Sequence, residues 1–272
     1  MLHKYLHETL TLECANPNIL FSYDAKSYKG AVLFPDKKIK AYVKAGLMKQ
    51  IPFYIAPPYK RRHYLYQVTK KGANLIGRSD EYKQKDARSY NNLPHWMMML
   101  SIRLAFERLF PDWLITSEYE KRFRSGIFER GKEKYFKADI FIKAVRSDLS
   151  EERHFIVETE HKDIRRTYEE KIEKYDRYLS AGFLKLNKLS DNTKILIVSC
   201  TNEYPTFTLP QEYDNIEVKK RYNALYKQFY ALLDRMSGHN NKYYRFLAFP
   251  DFYRLNEAVW RLPDKNATKI LD

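Results

Sequence analysis

Cysteine is scarce: the 272 residues hold two, Cys14 and Cys200, too few for a disulfide framework or a zinc site. Long apolar runs are missing as well. None approaches the roughly 20 residues that a membrane span needs, and the start Met1 to Lys4 lacks the apolar core of a signal peptide. A cytoplasmic protein with no membrane insertion is therefore expected. The seven histidines, at 3, 7, 63, 95, 154, 161 and 239, include no His-x-His pair, so their spacing supports no histidine metal cluster. His3 and His7 share helical spacing, but they are read as surface residues. Negative charge is in the minority, with 34 acidic against 49 basic residues. The resulting formal charge of +15 points to a polyanionic partner, nucleic acid before an anionic membrane. Aromatics are plentiful at 15%, largely through 23 Tyr, which suits base stacking as well as cores with polar rims. The length allows two modest domains or one large one.

Lys4 to Glu13 reads as a short helix, and Asn16 to Gly30 is too broken for an assignment. Pro35-Asp36 then opens a helix over Lys37 to Lys49, where Ile39, Tyr42, Val43 and Leu47 fall at helical spacing and Lys38, Lys40, Lys44 and Lys49 fall largely outside that stripe. Ile51 to Ala56 and Tyr64 to Thr69 follow as a hairpin with the basic tip Pro57 to Arg62, leading into a helix from Lys70 to Ile76. A helix, a basic-tipped hairpin and the step Tyr66-x-x-Thr69-x-x-Gly72 into a last helix resemble winged-helix domains. That resemblance implies a helix in the major groove and a wing on the backbone, with Lys40, Lys44, Lys60, Arg61 and Arg62 as DNA-binding candidates. An ordinary solvated basic turn, or a winged helix used for protein contact, is the alternative. Residues 1–78 form this expected domain, the polar run 79–92 a linker, and 93–272 the second domain.

The second domain opens with a helix to about Phe110, carrying Met98, Ile102, Ala105, Phe106 and Leu109 on one side. Trp113 to Arg122 reads as a strand with Glu118 and Glu120 on one face, and Glu118 is either a supplementary acid or a surface residue. Asp139 to Lys162 is the most informative stretch: two apolar runs joined by the charged segment Arg146 to Arg153 read as a β-hairpin. Side chains alternate along a strand, so Glu158, Glu160 and Lys162 project on one side and Phe155, Val157 and Thr159 on the other. Carboxylates aimed at a common point repel one another, and a hard divalent cation relieves that repulsion; Asp139 adds a further carboxylate from the neighbouring strand. The alternative is an edge strand whose charges discourage pairing. Thr167 to Leu179 follows as a helix with Tyr168, Ile172, Tyr175 and Leu179 in its buried stripe and Lys171 beside it. Lys194 to Cys200, apolar without alternation, reads as a strand covered on both faces. Ile216 to Met236 is expected as a helix and Tyr243 to Phe249 as a strand; the tail after Trp260 carries little signal.

An Asp on one strand and an acid-x-acid step ending the next resemble the metal-dependent nuclease core of the PD-(D/E)xK type. The resemblance implies Mg²⁺ or Mn²⁺ on Asp139, Glu158 and Glu160, a catalytic Lys162, and Lys171 as a phosphate contact from the following helix, with a plain surface lysine as its alternative. One departure stands out, since Glu160 occupies the position where many members carry Lys. Either Glu158-Thr159-Glu160 is the motif, or Glu160-His161-Lys162 is, shifted by one pleat. The order of parts from about Pro35 to Phe249 is similar to the replication-relaxation family and the MobC-type relaxases of mobilisable plasmids. The expected fold is α/β: a winged-helix domain, then a restriction-endonuclease-like mixed sheet. The implied activity is metal-dependent nicking of double-stranded plasmid DNA at a transfer origin, with accessory mobilisation proteins as possible partners. Two alternatives stay open, a non-catalytic replication or partition factor and a double-strand endonuclease of the restriction or transposon kind.

Overall fold

A computed structural model describes residues 36–54, 62–82, 93–160, 164–199, 216–236, 238–240, 242–248, 251, 254 and 256–271. They fall into two compact units, one drawn from 1–100 and 205–219, the other from 101–204 and 220–272. The expected tip residues Lys60 and Arg61, the helix over 4–13, most of the linker and Lys162 lie outside the described residues.

In the first unit, helix α1 (Asp36–Lys44) buries Ile39 and Tyr42 and exposes Lys40 and Lys44. The helix was expected to run to Lys49 and stops short, because Gly46 sits at φ +72° just past its end. The N–H of Gly46 reaches the carbonyl of Val43 and that of Leu47 the carbonyl of Tyr42, the paired bonds of a glycine-terminated helix. The chain can therefore turn directly into β1 (Met48–Tyr54), which pairs antiparallel with β2 (Arg62–Val68). Thr69 then caps α2 (Lys70–Leu75) by accepting the N–H of Gly72, while its hydroxyl donates to the carbonyl of Gly46 at 2.7 Å. Gly72 is required by close approach: a Cβ there would lie 2.2 Å from the carbonyl oxygen of Leu47. These contacts close a small core of Ile39, Tyr42, Met48, Tyr66, Val68 and Ala73, onto which Tyr82 packs from beyond the expected domain end at 78.

The helix α3 (Leu93–Leu109) leads into a second unit built on a seven-stranded mixed sheet. Its strands are β3 (Trp113–Tyr119), β6 (Ile140–Arg146), β7 (Glu152–Glu160), β8 (Lys194–Ser199), β9 (Tyr244–Ala248), β10 (Trp260–Arg261) and β11 (Ala267–Thr268), in the order β11-β10-β9-β8-β7-β6-β3. The neighbours β7, β8 and β9 run parallel and the remaining pairs antiparallel. The α/β mixed sheet was expected, as were the β6–β7 hairpin and a β8 covered on both faces; every residue of β8 is buried. Helices α4 (Ile164–Ser180) and α5 (Phe183–Leu186) and a helix α6 (Ile216–Leu233) complete the unit.

The two faces of the sheet are told apart by register. Phe155 meets Phe106 of α3 at 5.2 Å between ring centroids, so α3 covers the face of Phe155, Val157 and Thr159. The opposite face, with Phe141, Ile156 and Glu158, carries α4, α5 and a second hairpin, β4 (Arg122–Glu129) with β5 (Lys132–Lys137). That hairpin corrects the sequence reading, which carried β3 to Arg122 and assigned nothing before Asp139. In the structure β3 ends at Tyr119 and Glu120 turns the chain at φ +50°. The stretch from Trp260, whose tail carried little signal in the sequence, supplies β10 and β11, and the Trp260 ring is completely buried.

Candidate active site

The β6–β7 register determines which acids meet. Ile140 pairs with Val157, so Asp139, one step before β6, arrives beside the row of Glu158. The Oδ2 of Asp139 accepts the backbone N–H of Thr159 at 2.7 Å and its hydroxyl at 3.0 Å. Charge-assisted bonds of this kind pin a carboxylate firmly. Its backbone carbonyl accepts from the N–H of Glu120, which anchors the start of β6 to the end of β3.

Glu158 is 5% exposed, and helix α4 supplies partners for both of its oxygens. The Nζ of Lys171 donates to Oε2 at 2.9 Å and the hydroxyl of Tyr175 to Oε1 at 2.5 Å. Residues four apart lie on one helix face, which is why a single helix reaches both oxygens. Lys171 Nζ also stands 3.5 Å from Oε2 of Glu160, so one ammonium bridges the two glutamates of the acid-x-acid step. Burial raises the Glu158 carboxyl above its ordinary value, Lys171 opposes that rise, and Asp139 adds to it. Burial alone would lower the Lys171 ammonium, but Glu158, Asp139 and Glu160 hold it above the ordinary lysine range. The Tyr175 phenol is pushed well above its usual value by burial and by the Glu158 charge, so it stays a proton donor.

Three carboxylates against one ammonium form a hard-oxygen donor set of the type that Mg²⁺ and Mn²⁺ take. In the observed arrangement Lys171 holds Glu158 and Glu160, and among the described residues no group of three His, Cys, Asp or Glu side chains stands at metal-binding spacing. The donor chemistry fits such an ion; the present geometry is that of carboxylates satisfied by lysine.

Of the residues singled out in the sequence, the fold brings together Asp139, Glu158, Glu160 and Lys171. Glu118 stands on the same sheet face but opposite Phe141, one pleat away from the Asp139 row, and pairs with Lys121 at 2.5 Å. It helps line a cleft of about 220 Å³ with Lys121, Lys143, Glu152, His154 and Asn187. Arg62 opens β2 opposite Tyr54 in the first unit. Three contributors went unread in the sequence. Thr159 was assigned only to the opposite face, yet its backbone and hydroxyl hold Asp139. Tyr175 was read as core, and its spacing from Lys171 was the available signal. Ser199 closes β8 in parallel register with Glu160; its Oγ is buried and has no hydrogen-bond partner among the described residues, and nothing in the apolar run announced it.

Compared with known proteins, the chain matches no family model, no curated protein and no solved structure. Among the described residues no helix is long and apolar enough to cross a membrane.

Proposed function

We propose that the chain is a metal-dependent DNA endonuclease that nicks one strand, a relaxase acting at a plasmid transfer origin in the cytoplasm. The observation that carries this reading is the convergence of Asp139, Glu158 and Glu160 with Lys171 and Tyr175 at the end of β7. With the β4–β5 hairpin and the short α5 set aside as insertions, the succession α3, β3, β6, β7, α4, β8 supports the helix, three-strand, helix, strand order of the PD-(D/E)xK core, and α1, the β1–β2 pair and α2 support a winged helix. Exposed Lys40 and Lys44 and the +15 balance favour DNA as the partner of that first unit. The transfer origin and the accessory mobilisation proteins rest on the order of parts alone.

In this reading Asp139, Glu158 and Glu160 would hold Mg²⁺ or Mn²⁺, which when bound stabilises charge on the scissile phosphate and activates a water. The chain's own groups prepare the site. Thr159 fixes Asp139, Tyr175 fixes one oxygen of Glu158, and Lys171 bridges two neighbouring glutamates and holds them close together. A second reading, a DNA-binding protein without catalysis, is favoured by the same Lys171, which already satisfies the carboxylates. Incubating supercoiled plasmid carrying a transfer origin with the protein and Mg²⁺ or Mn²⁺ tests both. Nicked circles are expected; linear product would indicate a double-strand endonuclease, and unchanged plasmid the binding protein.

A further inference from the structure

The β4–β5 hairpin has two faces with opposite chemistry. Its inner face, Phe123 opposite Phe136, enters an aromatic cluster: Phe136 stacks on Tyr178 at 4.7 Å, and Phe123 meets Phe141 at 5.5 Å and Phe183 at 5.7 Å. The hairpin is also bolted down through its backbone. Asn187 accepts the N–H of Arg124 at 3.0 Å and donates to its carbonyl at 2.8 Å, and Gly126, at φ +76°, lies so close to the helices that a Cβ would meet the Ala181 carbonyl at 2.7 Å. The hairpin is thus a fixed part of the unit, and Phe136 touches the Tyr175 ring at 5.3 Å, one contact away from Glu158.

The outer face presents Arg122, Arg124, Tyr135 and Lys137, paired as Arg122 with Lys137 and Arg124 with Tyr135. Tyr135 is 46% exposed, and the Arg122 guanidinium lies 4.3 Å from its ring centroid. Farther along, Phe128 is 65% exposed. Between 122 and 137 six cations, Arg122, Arg124, Arg130, Lys132, Lys134 and Lys137, face two acids, Glu129 and Glu133. A rigid cationic surface with exposed rings supplies what an unpaired strand needs: charge for its phosphates and flat apolar faces for its bases. A duplex keeps its bases stacked on one another and has no use for the rings.

We propose that the outer face of the β4–β5 hairpin binds single-stranded DNA, with a base stacked on Tyr135 and the flanking phosphates on Arg122 and Lys137. This deepens the nuclease reading by giving the acidic site a track for one strand, and it rests on that reading only for the proximity of the two. The test uses the full chain in EDTA, with fluorescein-labelled oligo-dT for affinity and a 2-aminopurine oligonucleotide for stacking. Tyr135→Ala is expected to weaken single-strand binding about tenfold or more and to lose 2-aminopurine quenching, while Tyr135→Phe retains both. Arg122→Ala with Lys137→Ala is expected to lower the slope of log affinity against log salt by about 1.4, at about 0.7 per lost single-strand phosphate contact. Duplex affinity should change little in each. A Tyr135→Ala protein with parental melting temperature and unaltered oligo-dT affinity and quenching overturns the proposal, as does a parent that binds an acidic peptide but no oligo-dT. The two readings fail separately: a parent that quenches 2-aminopurine yet leaves plasmid uncut loses only the nuclease reading, and one that nicks while Tyr135→Ala binds normally loses only this one.

Discussion

Lys171 lies 2.9 Å from Glu158 and opposes the rise that burial imposes on that carboxyl. Breaking a buried pair by removing one member strands the other charge, and the loss is far larger than for an exposed pair.

Lys171→Met is therefore expected to lower stability by about 3–5 kcal/mol at neutral pH. The loss should depend on pH in a defined direction. The folded-state value of Glu158 is already raised, mainly by burial, and loses the opposing effect of Lys171 in the variant. A raised carboxyl contributes stability that is present below the unfolded value near 4.3 and is lost as pH rises through the folded value. Melting temperatures of parent and variant should thus lie close together at acid pH and diverge as pH rises through the folded value. Parallel curves would show that Glu158 is not the stranded group.

Tyr175→Phe removes one donor from Glu158 and leaves the ring contact with Phe136 in place. A bond to a charged acceptor contributes about 1.5–3 kcal/mol, and that loss should appear in urea unfolding with an unchanged m-value. In the nicking assay the variant should retain activity at a reduced rate, because the carboxylate is less well held and no ligand is removed. Wild-type stability in Tyr175→Phe would mean that the short contact is energetically idle.

In the first unit, Gly72→Ala places a methyl against the Leu47 carbonyl, and the neighbour is backbone that cannot swing aside. Overpacking of this kind costs about 1–3 kcal/mol. Thr69→Val loses the cap on α2 and the bond to Gly46 while preserving shape, about 1–2 kcal/mol. Both should lower the melting temperature and weaken duplex binding in proportion to the unfolded fraction. A Gly72→Ala protein as stable as the parent would contradict the close packing of α2 on the α1–β1 turn.

How far the sequence could be read follows from the range of the forces involved. Alternation in Phe155 to Glu160 is local, so the hairpin, its faces and the meeting of Asp139 with the β7 acids were legible. Gly46 was local too, but the stripe running through Leu47 masked it; Leu47 belongs to the core as the residue after the helix stop, where its N–H returns to Tyr42. The β4–β5 hairpin also alternates, as Arg122-Phe123-Arg124 and Tyr135-Phe136-Lys137, but its high charge resembles a surface loop until the aromatic cluster that receives Phe123 and Phe136 is known. Lys171 was identified as a cation near the site; that it would hold two glutamates depends on how α4 lies across β7. Ser199 and the short β10 and β11 depend on parallel or distant pairing, which no local pattern encodes.

The last expectation concerns which acids are ligands. Asp139 and Glu158 share the row at the open end of the β6–β7 hairpin, and Glu160 reaches the same ammonium one pleat on. If the three acids hold the ion, Asp139→Ala and Glu158→Ala should each abolish nicking, a loss of at least about a hundredfold, with duplex binding nearly intact because the first unit is untouched. Glu160→Ala should then cost as much as Glu158→Ala, and Lys162→Ala much less. The register shifted by one pleat reverses this order: Glu160 and Lys162 become essential and Glu158 dispensable. Metal binding gives an independent readout. Mg²⁺ or Mn²⁺ that binds the folded chain raises its melting temperature by mass action, and each ligand variant should lose that response. Lys171→Met supplies the control, since it removes the ammonium that competes for Glu158 and Glu160. Its melting temperature, low without metal, should rise more steeply with Mn²⁺ than that of the parent. A Lys171→Met protein that stays folded and ignores Mn²⁺, together with a parent that leaves the plasmid uncut, would leave Lys171 as the permanent counter-ion of Glu158 and the chain as a DNA-binding protein without catalysis.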